Sequence, residues 1–142
     1  MNLNNEAAAA AWAQRCAAHL PRAGYISLKG PLGAGKSFFA RHVIQALGHT
    51  GTVPSPTYTL IEHYPTPAGG CWHLDLYRLG DPEELEFLNV RDAIAGDELV
   101  LIEWAARGEG WLPEPTLTLD FDYDGDGRIC HLSRTDWLSN AS

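Results

Sequence analysis

The sequence predicts an α/β fold, with a mixed sheet that has a parallel core and antiparallel hairpins, and with flanking helices. Two observations indicate the parallel core. The run Leu99–Ile102 is apolar throughout and of strand length, which is typical of a strand buried on both faces. A second short apolar stretch, Tyr25–Leu28, is followed by a glycine-rich turn and then by a predicted helix, Lys36–Leu47.

Cap and turn residues bound the other elements. Asn5 can cap the first helix, while Asp81-Pro82 supplies a capping residue and a proline at the first helical position of a later one. The helices other than Lys36–Leu47 are predicted at residues 6–19, 81–88 and 91–95. Strand patterns are predicted at residues 57–63, 71–77, 116–122 and 128–133. A short turn joins residues 57–63 to residues 71–77, and another joins residues 116–122 to residues 128–133. Each of these two strand pairs is therefore predicted to form an antiparallel hairpin.

Length and composition exclude several classes of protein. A chain of 142 residues fits one domain, residues 1–142. No apolar run approaches the roughly 20 residues needed to cross a bilayer, and Met1–Glu6 does not resemble a signal peptide. We therefore expect a cytoplasmic protein without membrane association. The net charge of −8 argues against tight autonomous binding of nucleic acid, so any action on nucleic acid would proceed through a partner protein.

The segment Gly30–Ser37 matches the phosphate-binding loop, in which a glycine is followed by four residues of any type and then by Gly-Lys-Ser. Glycines let successive backbone N–H groups turn towards a phosphate, Lys36 can reach the β- and γ-phosphates, and the Ser37 hydroxyl can coordinate Mg²⁺. The following helix adds its free N–H groups and the positive end of its dipole. The residues expected to bind the nucleotide here are Gly33, Ala34, Gly35, Lys36, Ser37 and Phe38.

Two acidic residues follow or lie in predicted strands. Glu103 comes directly after the apolar run and is the best candidate for the acid that holds magnesium in a P-loop protein, although it could be a surface acid. Alternation places Asp75 on the same strand face as His73 and Tyr77. Asp75 could orient the attacking water or act as a base, or it could be a solvated acid, and Arg78 could pair with it or with phosphate.

These segments together resemble the bacterial TsaE (YjeE) family, small P-loop ATPases of tRNA threonylcarbamoyladenosine biosynthesis. The resemblance covers about Tyr25 to Pro113, and the phosphate loop is its least selective part. The more selective segments are Ser55-Pro56-Thr57-Tyr58, residues 73–79, residues 81–85 and Glu103-Trp104. The chain departs from the family pattern at Pro31, Ser37, Asn89 and Ala105, where the family commonly has Asp, Thr, Gly and Pro.

The resemblance implies roles for individual residues. Ser37 and Glu103 would be the Mg²⁺ ligands, and Trp104 would lie close to the nucleotide. Thr57 would sit in a switch-like loop near the γ-phosphate, and Asp75, with Lys36 of the phosphate loop, would serve ATP hydrolysis. The resemblance also implies weak ATPase activity, with ATP and ADP as ligands and a TsaD–TsaB transferase complex as partner. Contact with tRNA would be indirect.

Other interpretations of the sequence stay open at this stage. A small-molecule kinase shares the phosphate loop but normally needs an arginine-bearing lid, and arginines are sparse after Arg41. A nucleotide-sensing module without catalysis would not need Asp75 and Glu103. The segment Asp122–Gly127 copies the first half of a calcium loop, but Ser133 stands where the bidentate Glu is needed, so a solvated hairpin turn is expected.

Overall fold

The computed structural model describes residues 2–51, 53 and 60–137 of the chain. The strands are β1 Asn2–Leu3, β2 Ile26–Lys29, β3 Ile61–Tyr64, β4 Cys71–Asp75, β5 Leu99–Glu103, β6 Leu117–Asp124 and β7 Gly127–Leu132. The helices are α1 Glu6–Ala17, α2 Lys36–Ala46, α3 Glu84–Phe87 and α4 Val90–Ala95, and a 3-10 helix covers Ala105–Gly108.

Within the described residues, the strands form a seven-stranded sheet in the order β1-β7-β6-β2-β5-β4-β3. The central strands β6, β2, β5 and β4 run parallel to one another, while β3 pairs with β4, β7 with β6 and β1 with β7 in antiparallel fashion. The predicted mixed sheet with a parallel core and antiparallel hairpins is therefore confirmed. All four parallel strands end at the same edge, where the chain segments that follow them meet.

Apolar side chains on both faces of β5 explain its central position. Leu99 and Leu101 belong to a core cluster that also contains residues of α1 and α2, whereas Val100 and Ile102 belong to a second cluster with residues of α3 and α4. Every residue of β5 is buried. The sheet is thus covered by helices on both faces, as the continuous apolar run indicated.

Several boundaries differ from the predictions. The helix expected to begin beside Asp81 begins at Glu84, because Asp81 Oδ1 instead accepts a hydrogen bond from the Glu83 N–H at 3.0 Å and forms a turn ahead of it. The strand expected to reach Tyr77 ends at Asp75, whose Oδ1 accepts a hydrogen bond from the Tyr77 N–H. The short β1 was not predicted; it is two residues long and held by β7.

The predicted cap of the first helix is confirmed. Asn5 caps α1 through a 2.8 Å hydrogen bond from the Ala8 N–H to its Oδ1, and Asn89 adopts the left-handed backbone conformation that its residue type tolerates. Cys16, Cys71 and Cys130 are buried thiols. Within the described ranges, no helix has both the length and the apolar content required to cross a bilayer.

At Gly30, directly after β2, the backbone passes very close to β6. Its φ is +139°, and a Cβ built there would lie 2.2 Å from the backbone carbonyl oxygen of Phe121. Because this neighbour is backbone, it cannot move aside as a flexible side chain would. The close approach therefore requires glycine and fixes where the phosphate loop leaves the sheet.

We expect Gly30→Ala to lower the free energy of unfolding by more than the roughly 1–3 kcal/mol that a strained backbone conformation costs by itself. The matched control is Gly110→Ala, since Gly110 also has a positive φ of +91°, but a Cβ added to it would meet no atom within 4 Å. Urea unfolding of both variants would measure the difference. Equal losses in the two variants would show that the contact with β6 contributes nothing.

Candidate functional site

The phosphate loop lies between the end of β2 and the start of α2, at the edge where the parallel strands end. Gly30, Gly33 and Gly35 all have positive φ values, which residues with a side chain rarely adopt. Gly35 is the N-cap of α2, and no side chain of the described part of the molecule caps this helix end. The N–H groups of its first turn are therefore available to an anion.

Lys36 is buried, with 4% of its surface exposed, and its side chain folds back over the loop. Its Nζ donates a 2.5 Å hydrogen bond to the Gly30 carbonyl and lies 3.7 Å from the centroid of the Trp104 ring. Burial lowers the pKa of Lys36, and the nearby carboxylates of Glu103 and Asp75 oppose this shift. The lysine thus has polar and aromatic contacts that an incoming phosphate would have to replace.

Glu103 connects three elements of the fold. It ends β5 with 2% of its surface exposed, and both of its carboxylate oxygens lie 3.0 Å from the Ser37 hydroxyl at the start of α2. His73 Nε2 of β4 lies 2.6 Å from Glu103 Oε2, and this histidine is also buried. His73 Nδ1 has no hydrogen-bond partner among the described residues.

The donor set around Ser37 and Glu103 suits magnesium. Mg²⁺ prefers oxygen ligands and is usually held by one or two carboxylates together with water and substrate phosphates. A hydroxyl and a carboxylate that already touch each other, beside a phosphate loop, fit that requirement. Among the described residues there is no cluster of three or more His, Cys, Asp or Glu side chains that would form a metal cage independently of substrate.

Asp75 lies beside Glu103 because β4 and β5 pair in parallel with Asp75 opposite Glu103. It is neither fully buried nor fully exposed. Burial raises the pKa of Asp75, while the hydrogen bond from the Tyr77 N–H lowers it and the Glu103 carboxylate raises it further. A carboxyl with a raised pKa holds a proton more readily than an ordinary aspartate, which suits a proton acceptor.

A cleft of about 480 Å³ brings most of the expected site residues together. Trp104 helps to close it, with a left-handed backbone conformation and a ring 5.0 Å from that of Tyr77. The predicted site residues that line this cleft are Gly33, Gly35, Lys36, Ser37, Phe38, Asp75, Glu103 and Trp104. Arg78 also lines it. Ala34 does not line this cleft, and Thr57 lies outside the described residues.

A second cavity, of about 290 Å³, lies on the other side of the phosphate loop. It is shared by the loop, the start of α1 and the hairpin formed by β6 and β7, and Ala34 and Phe38 are among its lining residues. Asn5 and Arg128 also line it, although sequence reasoning did not single them out as site residues. In the sequence, Asn5 was recognisable only as a helix cap, and Arg128 only as a residue that follows a hairpin turn.

His63 of β3 and Cys71 of β4 are potential metal-ligating residues that do not line the cleft. His63 pairs with Glu98 at 3.0 Å and stacks against Trp72, so it belongs to a network at the β3 side of the sheet. Burial raises the pKa of Cys71 to about 12, as expected for an inert thiol in the core. His73 differs from both, because it contacts Glu103 of the candidate site.

Comparison with known proteins agrees with this geometry. The family model for "Threonylcarbamoyl adenosine biosynthesis protein TsaE" matches residues 3–130. A TsaE protein of Haemophilus influenzae is 47% identical over 114 residues, which cover 80% of this chain and 72% of that protein. One of Rickettsia bellii is 37% identical over 133 residues, 92% of each chain.

A solved structure also matches the chain. The crystal structure of Bacillus subtilis YdiB matches with a TM-score of 0.73 and 28% identity, over 90% of this chain and 79% of that one. The sequence match spans both the phosphate loop and the strands that carry Asp75 and Glu103. The chain therefore belongs to the TsaE family.

Proposed function

We propose that the protein binds and slowly hydrolyses ATP with magnesium, as the energy-using component of the machinery that makes threonylcarbamoyladenosine in tRNA. The observation that carries this proposal is the contact of the Ser37 hydroxyl with both oxygens of Glu103, next to the buried Lys36. This arrangement joins a phosphate-loop hydroxyl, an acid at a strand end and a lysine, which are the parts that nucleotide hydrolysis requires. The names of the TsaE relatives support the link to tRNA modification.

On this proposal, the two cavities would accommodate different parts of the nucleotide. The triphosphate would lie over the phosphate loop and extend into the cleft that holds Asp75. The base and ribose would occupy the second cavity, where Phe38 offers an aromatic surface and Asn5 and Arg128 offer polar groups. Phe38 lines both cavities, so it would sit at the junction between the phosphates and the base.

On this proposal, each residue of the cleft has a separate role in hydrolysis. Ser37 and Glu103 would hold the magnesium ion, which supplies charge neutralisation at the phosphates. Lys36 would exchange its contacts with Gly30 and Trp104 for phosphate oxygens. Asp75 would accept the proton of the attacking water or orient it. Thr57 remains predicted as a residue of the switch-like loop.

The proposal includes a partner. We propose that hydrolysis cycles a TsaD–TsaB transferase complex in the cytoplasm, and that contact with tRNA is made through this complex. The net charge of −8 supports an indirect contact, because a strongly acidic protein is repelled by the phosphates of RNA.

Lys36→Ala is expected to weaken ATP binding at least about tenfold, since a hydrogen bond to a charged group contributes about 1.5–3 kcal/mol. The control is Lys29→Ala, which removes the chain's other lysine, an exposed residue at the end of β2. Calorimetric titration with ATP would measure both variants. Unchanged affinity in the Lys36 variant would refute the assignment of the phosphate loop.

Glu103→Gln is expected to weaken binding of ATP in the presence of magnesium while leaving binding in EDTA nearly unchanged. The amide keeps the size of the side chain but loses the negative charge that a divalent cation requires. Glu109→Gln, at an exposed position just after the 3-10 helix, is the control. A variant that responds to magnesium as the wild type does would exclude Glu103 as a ligand.

Asp75→Asn is expected to retain ATP binding and to lower hydrolysis by about 10²–10⁴-fold, the usual contribution of a general base. Phosphate release should be measured with and without purified TsaD and TsaB, and Asp92→Asn, an exposed position in α4, is the control. Hydrolysis in the wild type should rise when the partners are added. Phosphate transfer to a metabolite instead of water would indicate a small-molecule kinase.

The same variant also tests the raised pKa of Asp75. Because burial raises this pKa above its unfolded value, the ionised carboxylate destabilises the fold at neutral pH, and the penalty disappears below the ordinary aspartate pKa. Asp75→Asn should therefore melt at a higher temperature than the wild type at pH 7. The difference should shrink as the pH falls towards that of an unperturbed aspartate.

A further inference from the structure

The β6–β7 hairpin holds the outer side of the phosphate loop by two side chains. The Tyr123 hydroxyl donates a hydrogen bond to the Leu32 carbonyl, and Arg128 Nε donates one to the Gly33 carbonyl at 3.1 Å. The two side chains also contact each other, since the Arg128 guanidinium lies 4.8 Å from the centroid of the Tyr123 ring. We name this pair, Tyr123 and Arg128, the hairpin clamp.

The hairpin reaches the loop because β6 is longer than its neighbour β2. The two strands pair in parallel up to Lys29 and Asp120, where β2 ends, while β6 continues to Asp124. Its last residues therefore flank the phosphate loop instead of another strand. The fit is close: a Cβ at Gly33 would lie 3.2 Å from the Tyr123 hydroxyl.

The two accepted hydrogen bonds fix the direction of the loop's N–H groups. In a trans peptide, the carbonyl of one residue and the N–H of the next point in opposite directions. Holding the Leu32 carbonyl on the hairpin turns the Gly33 N–H away from the hairpin. Holding the Gly33 carbonyl does the same for the Ala34 N–H, which donates to the Pro31 carbonyl at 3.2 Å and closes the turn.

Packing alone does not order this part of the loop. Leu32 is 59% exposed, and Tyr123 is 48% exposed, so neither is held by burial in the core. Exposed glycine-rich loops are free to adopt many backbone conformations, and fixing one of them on ligand binding costs conformational entropy. Contacts that fix it beforehand improve affinity without touching the ligand.

We propose that Tyr123 and Arg128 are positioning residues of the phosphate loop, which hold its turn in one conformation and so direct the Gly33 N–H for a phosphate. The proposal rests on the proposed function only in taking a nucleotide polyphosphate as the ligand. The clamp itself is made only of contacts between protein groups.

The first test needs no nucleotide. Tyr123→Phe removes a single hydroxyl and keeps the ring beneath Arg128, and Tyr25→Phe is the matched control, because the Tyr25 hydroxyl donates to the Pro113 carbonyl at 2.8 Å, away from the loop. We expect hydrogen exchange over residues 30–36 to become roughly 2- to 10-fold faster in Tyr123→Phe, the effect of losing one hydrogen bond, and to be unchanged in the control. Unchanged exchange in Tyr123→Phe would overturn the proposal.

Arg128→Lys provides a second variant for the exchange measurement. Lysine keeps the charge but cannot form the same planar contact with Tyr123 and the Gly33 carbonyl. We expect it to accelerate exchange over the same residues. It is not used for affinity, because Arg128 also lines the cavity proposed for the base and ribose.

The second test asks whether the clamp serves phosphate recognition. The affinities of Tyr123→Phe for ATP, ADP and AMP should be measured by calorimetry or competition, beside melting temperatures. We expect losses of roughly 2- to 10-fold for ATP and ADP, with AMP unchanged, because only the polyphosphates reach the loop N–H groups. Equal losses for all three nucleotides would show a general structural role and overturn the proposal.

The outcome separates this inference from the proposed function. A wild-type protein that binds ATP but does not hydrolyse it, with or without the partner proteins, would refute the proposed ATPase cycle. In that case, a selective loss of ATP and ADP affinity in Tyr123→Phe would still support the clamp. A wild-type protein that binds none of the three nucleotides would overturn both.

Discussion

The buried carboxylate of Glu103 is the interaction on which the rest of the site depends. Burying an acidic side chain costs free energy unless polar groups satisfy it, and here Ser37 and His73 do so from two other elements. The contact joins α2 and β4 to the end of β5 and thereby sets the distance between the phosphate loop and the strand that carries Asp75. Any substitution that removes one of these partners would leave a buried polar group unsatisfied.

The phosphate loop is held on both sides. On the inner side, Lys36 bonds to Gly30 and packs against Trp104, and these contacts keep its charged end within the cleft. On the outer side, the hairpin clamp holds two loop carbonyls. On the proposal made for the clamp, the backbone of the loop is already held in one conformation, which lowers the conformational cost of binding a phosphate.

The antiparallel additions at the two ends of the sheet differ in what they contribute. The β3–β4 hairpin supplies Asp75, which lines the cleft, and His73, which is buried and contacts Glu103. The β6–β7 hairpin, where the sequence indicated only a solvated turn, contributes two side chains that bind the loop. These two contacts could not be predicted from neighbouring residues, because Tyr123 lies 91 residues from Leu32 and Arg128 lies 95 residues from Gly33 along the chain.

The sequence by itself determined the features that depend on consecutive residues. The phosphate loop was predictable because its glycines, Lys36 and Ser37 are adjacent in the chain, and β5 was predictable because an uninterrupted apolar run must be buried on both faces. Only the tertiary structure decided which distant side chains meet, such as His73 with Glu103 and Arg128 with the loop. The physical reason is that strand order and register fix these through-space contacts, and neither is encoded in any local pattern of residues.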